Sequence, residues 1–212
     1  MLRRSLIIAA LTLESLLVLA AAKTKHTAPP PVVPPRVVTI PAALFGIEIG
    51  KPFPLPQCEV HQDYPIPSNR PPAGSDSCGV KPYSAFDDAI EIHFAHGWPP
   101  YLGGPVKAYL QDGLVTRVEF ETRGIVAQEE LLELLSQKFG RPTQQDATPV
   151  NTEVGATYNV LTASWRFADD SVLKLLGASG TIRSGLVQLD SHSQQLRDLE
   201  KDRARAAEQP RL

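Results

Sequence analysis

Two histidines three residues apart, His93 and His96, are the side chains in this chain that most invite a chemical reading. With Asp87, Asp88 and Glu91 just upstream, they supply the donor types of a zinc site. On a helix an i, i+3 pair shares a face, but on a strand the two side chains point to opposite sides. Ile90, Ile92 and Phe94 alternate with Glu91 and His93, which reads as a strand. His93 then faces solvent, and His96 falls in the loop before Gly97. A periplasmic hydrolase or metal-binding protein using His93, His96 and Asp88 is therefore the second reading. Nucleophilic chemistry has less to work with. Ser179-Gly180 and Ser184-Gly185 belong to no G-x-S-x-G elbow, and nothing sets His192 beside a serine. Residues 177–180 are too short, and lack the lysine, to cradle a phosphate. No catalytic residue, metal ligand or cofactor is assigned.

Cys58 and Cys78 are the only cysteines. Residues 1–22 read as an export signal, with Arg3 and Arg4 ahead of an apolar run and Ala20-Ala21-Ala22 at the cleavage site. The run is shorter than the roughly 20 residues a spanning helix needs, and Glu14 interrupts it. A membrane contact follows only if this segment stays uncleaved. Export places the cysteines in an oxidising compartment, periplasmic or extracellular, where one disulfide is expected. Closing a loop of about 20 residues is worth roughly 3 kcal/mol by chain entropy. The enclosed segment has no hydrophobic period and needs such a staple. Stapled and stiffened by Pro65, Pro67, Pro71 and Pro72, it presents Tyr64, Ile66 and Arg70, residue types suited to a protein partner.

Composition sets further bounds. The chain has 212 residues with 21 Lys+Arg against 23 Asp+Glu, a balance that does not favour nucleic acid. Of its 20 prolines, 13 lie between Pro29 and Pro72. Residues 23–43 read as a Pro-rich spacer, and residues 44–192 as one domain with the stapled loop at 58–78. Residues 193–212 form a charged C-terminal helix and tail, with only Leu196 and Leu199 to bury.

The elements that must position these groups follow from periodicity. Phe45, Ile47 and Ile49 alternate as a strand. For residues 106–121, a two-residue Asp112-Gly113 turn would set Ala108 opposite Arg117. A three-residue Gln111-Asp112-Gly113 loop pairs Leu110 with Leu114, Ala108 with Thr116 and Val106 with Val118, and is preferred on that ground. Residues 127–139 are the clearest helix. Glu129 and Glu130 lie in its first turn, Leu131, Leu132, Leu135 and Phe139 form its stripe, and Gly140 with Pro142 supplies its stop. A second hairpin with its loop at Asp169-Asp170-Ser171 sets Phe167 opposite Leu173 and Trp165 opposite Leu175. A last strand covers residues 186–189. Trp98, Pro99, Pro100, Tyr101 and Leu102 make an apolar loop between two strands, which is either a lid or a contact surface.

The result is an α+β fold, an antiparallel meander sheet with one packed helix plus a charged C-terminal helix. Over residues 113–189 the chain resembles small secreted modules of the β-lactamase-inhibitor-protein and outer-membrane-assembly-lipoprotein type. The resemblance rests on Leu131, Leu135, Lys138, Phe139, Gly140 and Pro142, followed by Trp165, Phe167, Asp170, Leu173 and Leu175. It implies a non-catalytic, protein-binding envelope module and transfers no functional residue. The first reading is thus an exported accessory module that holds an envelope protein through Tyr64, Ile66, Arg70, Trp98 and Tyr101.

Overall fold

Alternating apolar residues give the sheet one buried face. Val106, Ala108, Val118, Val187, Leu189, Leu173, Leu175 and Trp165 are all at or near zero exposure. Residues 37–59, 69–81, 89–151 and 155–208 are described in a computed structural model. Tyr64, Ile66, Asp87, Asp88 and the proposed signal lie outside them.

The strands are β1 (Val37–Val38), β2 (Ala43–Leu44), β3 (Ile47–Glu48), β4 (Ser77–Val80), β5 (Ala89–Phe94), β6 (Leu102–Gln111), β7 (Leu114–Thr122), β8 (Gln144–Asn151), β9 (Thr157–Phe167), β10 (Val172–Leu176) and β11 (Gly185–Asp190). The helices are α1 (Gln128–Phe139) and α2 (His192–Glu208). Among the described residues, nine strands form one sheet in the order β4, β5, β6, β7, β11, β10, β9, with β8 and β1 both against the outer edge of β9. Two four-stranded meanders, β4 to β7 and β8 to β11, are thus joined through α1 and sealed by the pairing of β11 with β7. The fold is α+β as expected, and mixed, because β1 runs parallel to β9.

α1 lies across β9 and β10. It buries Leu131, Leu135 and Phe139, and Phe139 meets Phe167 edge-on at 5.3 Å. Its glycine stop does a second job, since the Trp165 indole N–H donates to the Gly140 carbonyl at 2.8 Å. That bond satisfies a donor that burial would otherwise strand. Gln128 works similarly. Its amide donates to the Asn159 carbonyl at 2.8 Å and accepts from the Leu161 amide at 2.9 Å.

Several expectations are corrected. The 112–113 turn has two residues after all, both left-handed, with φ of 52° and 78°. Gln111 pairs with Leu114 and Leu110 with Val115, then the register shifts so that Tyr109 meets Arg117 and Ala108 meets Val118. A bulge at Thr116 therefore reconciles the faces, and the loop need not lengthen. In the second hairpin Trp165 pairs with Leu173 and Ala163 with Leu175. The loop sits one residue earlier, with Asp170 at φ 61°, so the inward faces hold while the partners move by two. Phe45 does not continue a strand. With Gly46 it forms the left-handed turn between β2 and β3, at φ of 51° and 78°. Val37, Val38 and Ala42, inside the segment read as spacer, belong to the fold, and Val38 and Ala42 are buried in its core.

Candidate functional site: an aromatic end and a stapled edge

The β2–β3 hairpin packs over the β5–β7 part of the sheet and brings its turn to one end of the core. A bulky residue with positive φ costs roughly 1–2 kcal/mol, so something must hold Phe45 there. Its ring lies 5.4 Å from both Phe94 and Phe120. The Lys138 ammonium donates to the Ala43 carbonyl at 2.8 Å and ties the hairpin to α1. Burial holds that ammonium below its ordinary pKa.

Tyr101 completes the cluster at 6.3 Å from Phe120. It is half-buried, and burial, helped by the nearby Glu130 carboxylate, pushes its phenol pKa up. Its carbonyl accepts from the Arg123 amide at 3.1 Å, which joins the 98–101 loop to the 3-10 turn Gly124–Val126. Trp98, between Phe94 and Tyr101, remains 45% exposed, and Val126 is 75% exposed. Phe45, Phe94, Tyr101 and Phe120 thus form one aromatic cluster, and exposed Trp98 lies in the loop whose ends, Phe94 and Tyr101, are part of it.

The stapled edge is separate. Cys58 and Cys78 form a disulfide with Cα atoms 4.9 Å apart, and both are buried. The Cys58 amide donates to the Gly79 carbonyl at 3.1 Å, so this segment covers the outer edge of β4. Arg70 is exposed, and its carbonyl accepts from the Glu59 amide at 3.0 Å, closing the base of the loop beside the staple. Arg70 therefore sits with the disulfide, while Trp98 and Tyr101 belong to the aromatic end.

His93 differs from expectation. It pairs with Cys78 across β4 and β5, so it shares its face with the disulfide and is half-buried, not open to solvent. Its Nε2 is fully buried and has no hydrogen-bond partner among the described residues. Burial pulls its pKa below the ordinary value, and the Glu91 carboxylate opposes that only in part. His96 is exposed in the turn after β5. Among the described residues, no three His, Cys, Asp or Glu side chains gather as a metal site.

The chain matches no protein-family model, no curated protein and no solved structure. What its surface can do therefore follows from its own side chains. A buried disulfide is compatible with an extracellular location, and no described helix is long and apolar enough to cross a membrane. Phe45 and Phe94 were missed as site residues because each reads as an ordinary inward strand position. The positive φ at Phe45, visible only in the fold, is what distinguishes it.

Proposed function

We propose that this protein is an exported, non-catalytic binding or accessory module, periplasmic or secreted, that engages a protein partner of the cell envelope through its aromatic end. The observation that carries the reading is Trp98, nearly half exposed in a loop whose two flanks are fixed on an aromatic cluster. Tryptophan on a rigid platform is the residue type that dominates interface energetics, because little side-chain freedom is lost on binding. Clustered apolar surface of this kind marks contact sites more often than scattered apolar residues do. The N-terminal signal and the buried disulfide support export together.

Affinity capture from the exported compartment, run in parallel with wild type and Trp98→Ala, tests the reading. A partner enriched by wild type should be lost with Trp98→Ala while the melting temperature is unchanged. Identical capture by both proteins would refute the assignment of the aromatic end. A cytosolic protein with both thiols open to alkylation in the native state would refute export.

A further inference from the structure

The sheet face opposite α1 carries a polar row fixed by register. Gln144 pairs with Ser164, Ser164 with Lys174, and Lys174 with Gln188. Amide, hydroxyl, ammonium and amide thus follow one another at about 4.8 Å per strand. Beside this row Arg166 lies on one flank, and Asp146 pairs with Thr162 on the other. Of these, Gln144, Asp146, Thr162, Ser164, Arg166 and Lys174 line a groove of about 630 Å³ bounded by the β8–β9 hairpin, β10 and Gln195 of α2. The Thr143 hydroxyl accepts from the Arg166 amide at 3.1 Å and fixes one wall. Lys174 is exposed, and among the described residues it has no ion-pair partner. Among the described residues Arg166 has one ion-pair partner, Asp170 at 3.4 Å. The hydroxyls of Ser164 and Thr162 are half-buried and are left without protein partners among the described residues.

We propose that this groove binds a sugar acid, a hydroxyl-rich ring bearing one carboxylate. Lys174 and the Ser164 hydroxyl face the carboxylate, with Arg166 at the same end. Thr162, Gln144 and the Asp146 carboxylate offer donors and an acceptor to ring hydroxyls. Val172 and Leu176, half-buried in the lining, give the C–H face of the ring an aliphatic floor. The volume suits one or two rings. Nothing in this site depends on the aromatic end.

Calorimetric and amide-shift titration of the purified protein with D-glucuronate, acetate and glucose tests the inference. Saturable glucuronate binding should shift the Ser164, Arg166 and Lys174 amides. Glucuronate makes the charge-assisted contact that glucose lacks and the ring-hydroxyl contacts that acetate lacks, so it should outbind each by about tenfold or more. Lys174→Glu should lose that preference and Lys174→Arg keep it, with both variants melting like wild type. Acetate binding as tightly as glucuronate would mean a bare anion contact and overturn the sugar reading. Equal glucose binding would overturn the role of Lys174, and no saturable shift would overturn the site. If Lys174→Glu fails to fold, Ser164→Ala takes its place, and unchanged glucuronate affinity there overturns the proposal equally.

Discussion

Arg117→Ala should be among the most damaging single changes on the polar face. Arg117 sits on β7 with its side chain 18% exposed, and its Nε donates to Asp190 at 2.6 Å. Its other arm reaches Asp198 of α2. Burial alone would lower the guanidinium pKa, but the hydrogen bonds and charges of Asp190 and Asp198 outweigh it and hold the group above its ordinary value. Asp190 is 1% exposed, and its only other side-chain support among the described residues is the Gln188 amide at 2.6 Å. Removing Arg117 leaves a buried carboxylate uncompensated, which costs about 3–5 kcal/mol. The more exposed Asp198 arm adds about 0–1 kcal/mol. For a domain of this size, roughly 2–4 °C is lost per kcal/mol, so the melting temperature should fall by about 6–24 °C. Adding Asp190→Asn removes the stranded charge, and the double variant should recover part of the loss. Thermal unfolding of the three proteins by circular dichroism decides the matter. A loss in Arg117→Ala below about 1 kcal/mol, or a double variant no better than the single, would refute the buried-pair account.

Reducing the Cys58–Cys78 disulfide, or replacing both cysteines with serine, should cost about 3 kcal/mol in thermal or urea unfolding. Gln128→Ala removes the partner of the half-buried Leu161 amide, while the Asn159 carbonyl lies in an exposed residue, so it should cost about 1–3 kcal/mol; faster hydrogen exchange at Leu161 would localise the effect. His93 has a depressed pKa in the folded state, so its contribution is fully present above its ordinary value near 6.5 and is lost as pH falls through the lower folded value. Melting temperature should therefore drop from about pH 7.5 to pH 5 by more in wild type than in His93→Gln.

What the sequence made legible was local. The helix of residues 127–139 carried its own stripe, charge bias and stop, and it forms within one residue of the expected start. The inward faces of β6, β9 and β10, and of β7 from Val118 on, were readable from alternation, whereas Leu114, expected inward, is exposed and His93 on β5, expected outward, is half-buried. Register was not readable in the same way. Two loop lengths can satisfy one apolar pattern once a bulge is allowed, and Thr116 supplies that bulge. β8 was invisible for another reason: all eight of its residues are exposed, so Gln144-Gln145-Asp146 onward holds no apolar period. β1 is two residues long and borrows its order from β9.

The surfaces proposed for binding were harder to read, because each depends on which segments meet. Trp98 stood out from composition, yet its value as an anchor comes from Phe45, about fifty residues upstream and held in a left-handed turn that sequence rules assign to glycine or asparagine. An aromatic ring in that position is retained only if its packing outweighs the backbone cost. Phe45→Asn therefore separates two roles. It relieves a turn cost of about 1–2 kcal/mol but removes the ring that braces Phe94 and Phe120, so the melting temperature should fall by a few degrees and Trp98-dependent capture should weaken even where the fold is intact. If Phe45 is only core filling, the same fall in melting temperature should leave any partner bound at temperatures where the fold is intact.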